Sequence, residues 1–184
     1  MIYVALLRGI NVGGNNKIPM KNLKKTFEAS GLQSVTTYIN SGNVVFKSDI
    51  HSKEELEVLL RQAIMNDFQL DISVIIRSLT EYELLMKELP EHWKNDGEMK
   101  SDVLFLATTV DGEETLELLT IKPGIDTAMY VPGAILWSVN RKNVTKSGLM
   151  KIVGTEIYQQ MTVRNVNTTR KIYEIMKNAN LKQG

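Results

Sequence analysis

The chain contains no cysteine. That excludes a disulfide framework, a thiolate nucleophile and any zinc or iron–sulfur site built on cysteine ligands. Its two histidines, His51 and His92, are far apart in sequence, so a histidine-rich metal site is excluded as well. Long hydrophobic runs are missing. Ile2 to Leu7 is apolar, but Arg8 ends it. A signal peptide needs a longer apolar stretch behind a basic start, and a membrane helix needs about 20 apolar residues. The absence of cysteine and of a leader together point to the cytoplasm. An excess of one charge is lacking too: 22 basic and 21 acidic side chains leave +1, so net charge names no partner. What remains is an ordinary globular composition, 43% hydrophobic and 23% charged over 184 residues. A disordered tail, a collagenous repeat and a coiled-coil rod are excluded. The length suits one large domain or two of about 90 residues.

Charge is distributed unevenly. Residues 1–78 carry nine basic and seven acidic side chains, residues 79–125 four and eleven, and residues 126–184 nine and three. No acid lies between Arg8 and Glu28, where Lys17, Lys21, Lys24 and Lys25 are found. None lies between Asp126 and Glu156, where Arg141, Lys142, Lys146 and Lys151 are found. Each stretch either gives one face a positive potential or is ordinary solvated surface.

Periodicity predicts a strand at Ile2–Leu7 with apolar residues on both faces. A helix follows from Pro19 to Ser30, with Leu23 and Phe27 one turn apart and Gly31 as its stop. Val35–Ile39 and Val44–Lys47 read as strands around an Asn40-Ser41-Gly42 turn. Ser52 is placed to cap a helix to Phe68, with Glu55 three residues on and Leu56, Leu59, Leu60 and Ala63 as its stripe. Ile72–Arg77 is the next strand. The order β-α-β-β-α-β is that of ferredoxin-like folds.

The order then repeats without sequence identity. A polar helix at Glu81–Glu88 connects to a strand at Val103–Thr108 and a short helix from Asp111-Gly112 to Leu119. Strands at Ala128–Val131 and Ile135–Val139 flank Pro132-Gly133. Ser147–Gln160 reads as a helix broken at Gly154, followed by a strand at Thr162–Arg164 and a helix at Thr168–Asn178. The fold class expected is therefore α+β, a tandem of two ferredoxin-like (α/β-plait, βαββαβ) domains. Residues 1–78 form the first. Residues 79–184 form the second, with an extra connecting helix and a C-terminal helix. The central strands Ile2–Leu7 and Val103–Ala107 lack the alternation of a sheet with one wet face, so something covers the second face of each.

Topology puts the loop Arg8–Ile18 beside the turn Asn40–Asn43, at one end of the first domain. In the second domain, Arg141–Ser147 and Arg164–Asn167 gather at the opposite end. The loop RGINVGGNNKIP carries Gly13 and Gly14, which permit positive φ and close backbone approach. Its N–H groups, with Arg8, Asn11 and Lys17, suit an anion. It lacks the ending of a P-loop and the spacing of a dinucleotide fingerprint, and it equally suits a loop that needs glycine for geometry. Asn40, Ser41 and Asn43 offer hydrogen bonds to a ligand or close their own turn. In VRNVNTTRK, Arg164 suits bidentate phosphate or carboxylate binding, with Asn165 and Asn167 beside it. Asn167 or Thr168 is the expected cap of the last helix. Arg141 and Lys146 complete the candidate set. Lys146-Ser147 resembles a Ser–Lys nucleophile pair, but a helix cap at Ser147 is the stronger reading. Trp137 alternates with Ile135 and Val139 as a core residue.

At ALLRGINVGG, YINSGN and VRNVNT the chain resembles a bacterial family, domain-of-unknown-function family 1697. The similarity runs over nearly the whole length and implies two ferredoxin-like domains. It supplies no reaction. The matching residues are Arg8, Gly9, Asn11, Gly13, Ser41, Gly42, Asn43, Arg164, Asn165 and Thr168. Val166 departs from the pattern, where a tryptophan is common.

The leading expectation is a binding protein for a phosphate-bearing small molecule or nucleotide, at a composite Arg/Asn/Gly site. It would bring Arg8 and the 40–43 turn together with Arg164 and Asn165. A nucleic-acid-binding protein is the alternative, weakened because SGNVVFKS lacks the stacking aromatics of RNA-recognition domains. An enzyme or protein-interaction module ranks lower: no catalytic constellation, resident metal or cofactor is recognisable.

Overall fold

In the computed structural model, residues 1–181 are described; the last three residues of the expected second domain lie outside them. The chain forms two compact units, Met1–Tyr82 together with the chain from Ile172, and Glu83–Lys171. It is a mixed α+β protein with two four-stranded antiparallel sheets, each packed with helices.

The first unit contains β1 (Ile2–Leu7), α1 (Met20–Ala29), β2 (Gln33–Tyr38), β3 (Asn43–Lys47), α2 (Lys53–Phe68) and β4 (Val74–Ser78), after which α3 (Leu79–Glu88) begins. The strands lie in the order β2-β3-β1-β4. Local signals explain the helices. Pro19 precedes α1 in extended conformation, and Leu23, Thr26 and Phe27 turn inward. The Ser52 hydroxyl accepts from the Glu55 N–H at 3.1 Å, capping α2, and Glu54 and Glu55 complement the helix dipole. The buried stripe of α2 is Leu56, Leu60 and Ile64. These meet Tyr3, Ala5, Leu7, Phe46 and Ile76 in one core. Phe46 stacks on Tyr3 and takes Phe27 edge-on, with ring centroids 5.9 and 6.1 Å away.

One expectation fails at the turn after β2. Ile39 does not end the strand; it opens the turn with φ +47°. The pair that closes the hairpin is Tyr38 and Asn43, so Ile39 is the first of four residues reversing the chain.

The second unit is built on β5 (Met99–Leu106), β6 (Asp126–Val131), β7 (Ala134–Asn140) and β8 (Met161–Asn165), in the order β6-β7-β5-β8. Two expected helices are largely replaced by 3-10 segments, at Glu113–Leu118 and Gly148–Lys151, with only the short α4 (Glu156–Gln159) in regular helix. Packing explains the second case. The Gly148 N–H is held by the Asp126 carboxylate at 2.8 Å, and a Cβ on Gly148 would lie 1.5 Å from the Thr120 carbonyl oxygen. Gly154 then turns left-handed at φ +87° and stops the segment. Leu149, Ile152 and Ile157 pack with Leu104, Leu106, Ile135 and Trp137. The last helix, α5 (Val166–Leu181), starts two residues before its expected position. Both faces of β1 are buried, as are both faces of β5 from Ser101 onward.

Candidate functional site

In the first unit the loop after β1 leaves the sheet beside the β2–β3 turn. The Leu7 N–H donates to the Gly42 carbonyl at 2.8 Å, and the Arg8 N–H to the Ser73 carbonyl at 2.9 Å. Gly42 is required there: it sits at φ +79°, and a Cβ would lie 2.7 Å from the Leu7 Cβ. Buried Ile10 and Ile18 anchor the two ends of the loop.

Asn11, left-handed at φ +55°, locks the loop. Its carbonyl oxygen Oδ1 accepts from the Ile18 N–H at 2.8 Å. Its amide Nδ2 donates to the Ile18 carbonyl and the Asn40 carbonyl, each at 2.9 Å. The Asn11 N–H reaches the Asn16 carbonyl at 3.1 Å, and the Asn16 amide returns to the Gly9 carbonyl at 3.0 Å. The loop is thus tied internally and to the neighbouring turn. Its tip, Val12 to Lys17, is exposed, with Gly13 and Gly14 at φ +57° and +82°.

The candidate residues of this unit separate into builders and presenters. Asn11 and Asn43 are builders. The Asn43 side chain is 0% exposed, and its amide donates to the Tyr38 carbonyl and the Ser41 hydroxyl, both at 3.0 Å. Gly13, Gly14, Lys17 and Asn40 are exposed on the rim. Arg8 and Ser41 are half-buried.

In the second unit, several candidates hold the 90–99 segment. The Arg141 guanidinium donates to the Asp96 carbonyl at 2.8 Å and to the Asn95 side-chain oxygen at 3.0 Å. The Asn167 amide donates to the Asn95 carbonyl at 3.0 Å, and its oxygen accepts from the Asn95 N–H at 3.4 Å. Arg170, which sequence reasoning did not single out, donates to the carbonyls of Trp93, Pro90 and Glu91 at 2.6, 2.9 and 3.2 Å. Within the segment, the Glu98 and Met99 N–H groups donate to the Asp96 carboxylate and hold its pKa below the usual range.

The cap of α5 is Asn165, not Asn167 or Thr168: its Oδ1 accepts from the Thr168 N–H at 2.9 Å. Earlier helix onset explains the shift. Arg164 is 7% exposed, and its guanidinium donates to the Thr162 hydroxyl and the Val163 carbonyl at 2.9 Å each. The Lys146 side chain is exposed, and its carbonyl accepts from the Lys122 ammonium. Ser147 is a cap: its hydroxyl donates to Asp126 and accepts from the Leu149 N–H at 3.1 Å.

Asp126 was also missed, because a lone acid at the start of a strand carries no local signal. Its carboxylate accepts from the Trp137 indole at 3.2 Å, the Ser147 hydroxyl, the Gly148 N–H at 2.8 Å and the Lys122 N–H at 2.9 Å. Burial works to raise its pKa, but these donors hold it below the usual range.

Each unit carries a groove among its described residues. One of about 540 Å³ in the first is lined by Lys24, Glu28, Ser34, Thr36, Ile175 and Asn178. One of about 390 Å³ in the second is lined by His92, Trp93, Lys94, Thr127, Ser138 and Asn140, among others. Neither takes in a residue of the candidate set. Among the described residues, no group of three or more histidine or acidic side chains is placed to hold a metal ion. No described helix is long and apolar enough to cross a membrane.

A family model described as "Protein of unknown function (DUF1697)" matches residues 1–137. Among solved structures, the chain is similar to the conserved bacterial protein SP0830 from Streptococcus pneumoniae. The two share 31% sequence identity over 95% of this chain and 98% of that one, with a TM-score of 0.81. No curated protein matches.

Proposed function

The chain belongs to the DUF1697 family of proteins of unknown function, and we propose that it binds a phosphate-bearing small molecule or nucleotide on the rim of its first unit. The observation that carries the reading is the exposed Gly13–Lys17 tip, held in place by the Asn11 lock. Three side-chain hydrogen bonds of 2.8–2.9 Å fix the loop to itself and to the neighbouring turn, while Gly13, Gly14 and Lys17 stay exposed. A loop fixed before binding loses little entropy on meeting its ligand. Left-handed glycines let backbone N–H groups approach an anion, and Lys17 adds a charge in a stretch without acids from Arg8 to Glu28. Asn40 adds amide recognition from the turn. The strand orders β2-β3-β1-β4 and β6-β7-β5-β8 also support a ferredoxin-like reading of each unit.

The test is a thermal-shift series with inorganic phosphate, ribose 5-phosphate, nucleoside mono- and triphosphates, and short oligonucleotides, at low and moderate salt. Wild type is compared with Lys17→Glu. A ligand at 100 times its Kd stabilises by about 2.7 kcal/mol. The expected result is stabilisation by a small phosphate-bearing molecule that Lys17→Glu weakens strongly. No shift with any small anion overturns the reading, and so does a shift that Lys17→Glu leaves intact. A salt-sensitive shift with oligonucleotides alone replaces it with nucleic-acid binding.

A further inference from the structure

Ile39 is the most unusual residue of the rim. It is β-branched, yet it holds φ at +47°, a region such side chains rarely enter. Burial does not explain it, since Ile39 is 50% exposed. A glycine or asparagine would serve the turn without strain, and Gly42 already does so at its other end. On the tied loop, Val12 adds a second branched apolar side chain at an exposed tip among glycines and asparagines, and is 62% exposed. The two are joined by the lock. Asn11, the neighbour of Val12, donates to the carbonyl of Asn40, the neighbour of Ile39. Two branched apolar side chains therefore stand on the two tied segments of a rim that also exposes Gly13, Gly14, Asn15, Asn16, Lys17 and Asn40.

Residues held in sparsely populated backbone regions cluster at positions that serve a ligand. An inorganic anion offers no apolar surface, and a sugar phosphate only the C–H edge of its ring. A nucleotide offers more, because its base has an apolar face beside an anionic end. We infer that the rim takes a nucleotide, with Ile39 and Val12 against the base and Gly13, Gly14 and Lys17 at the phosphate. This rests on the proposed function and adds what distinguishes one phosphate ligand from another.

The experiment is calorimetric titration of ribose 5-phosphate and of the four ribonucleoside monophosphates into wild type, Ile39→Gly and Val12→Ser. Ile39→Gly relieves the left-handed backbone, so the variant folds. At least one nucleotide should bind wild type about tenfold more tightly than ribose 5-phosphate. Ile39→Gly should reduce that preference to about twofold or less while leaving ribose 5-phosphate binding unchanged, and Val12→Ser should reduce it in part. Equal affinity of wild type for ribose 5-phosphate and every nucleotide overturns the inference and leaves the phosphate site standing. A preference unchanged in both variants does the same. Binding of neither ligand class removes the site and the inference together.

Discussion

Replacing Asp126 by asparagine tests whether one carboxylate organises the second unit. The oxygen Oδ1 accepts from the Trp137 indole and the Ser147 hydroxyl, and Oδ2 accepts from the backbone N–H groups of Lys122 and Gly148. An asparagine keeps one oxygen and puts an NH2 group where the other was. If the NH2 faces Lys122 and Gly148, two backbone donors lose their acceptor. If it faces Trp137 and Ser147, the hydroxyl can rotate to accept, but the indole N–H cannot. The milder orientation loses one bond to a charged acceptor and weakens the others. Each such bond contributes about 1.5–3 kcal/mol, so the cost should be about 3 kcal/mol.

Both tryptophans, Trp93 and Trp137, lie in the Glu83–Lys171 unit, so tryptophan fluorescence during urea unfolding reports that unit directly. The pH dependence sharpens the test. The folded pKa of Asp126 is lowered, so its stabilisation is complete above the unfolded carboxylate value and is lost as pH falls through the folded one. Wild type and Asp126→Asn should therefore differ most near neutrality and converge in acid. A loss below about 1 kcal/mol, or a difference independent of pH, would refute the view that the charged acceptor matters.

Gly148→Ala should destabilise the same unit by at least about 3 kcal/mol in urea titrations, because the new Cβ would overlap the Thr120 carbonyl oxygen at 1.5 Å. Asn11→Ala removes the bonds to Ile18 and Asn40; a cost of about 1–2 kcal/mol and faster hydrogen exchange at the Ile18 amide are expected. Glu57 and Glu81 should respond to pH in opposite senses. Burial pushes the Glu57 carboxyl up, so its ionisation opposes folding: Glu57→Gln should leave stability unchanged in acid and raise it at neutral pH. For Glu81, burial works upward but the Lys53 pair and the Ser78 bonds win, and the pKa is lowered. Glu81→Gln should therefore cost stability at neutral pH, with the difference vanishing as pH falls through the folded pKa. Thermal melts across pH 3–8 check both.

What could be read in the chain follows how local each cause is. β1 emerged with its limits intact because six apolar residues between Met1 and Arg8 leave no alternative. The Ser52–Glu55 cap was legible because both partners lie within one turn. The 147–160 stretch was misread because its conformation is set from outside: by Thr120, which leaves no room for a side chain at 148, and by Asp126, which draws in Ser147 and Gly148. Helical spacing alone could not report either contact. The cap of α5 shifted to Asn165 for a smaller reason, since Asn165, Asn167 and Thr168 are all competent caps and only the helix onset chooses.

The same distinction sorts the candidate site. Sequence reasoning collects asparagines, glycines and arginines because they suit anions and amides, but the fold makes the same demands. Asn11 and Asn43 use their amide donors on neighbouring chain, and Gly42 answers a close approach to Leu7. Arg141 and Asn167 grip the backbone carbonyls of Asp96 and Asn95. Folding accounts for these residues without a ligand. It does not account for a left-handed, half-exposed isoleucine, or for an exposed valine at the tip of a loop locked in place. Ile39 breaks a local backbone rule, and neither side chain is buried in the core. Substitutions at Asn11, Asn43 or Gly42 will therefore mix binding with folding. Lys17, Val12 and Ile39 are where the two can be separated: changing them leaves every hydrogen bond of the Asn11 lock in place.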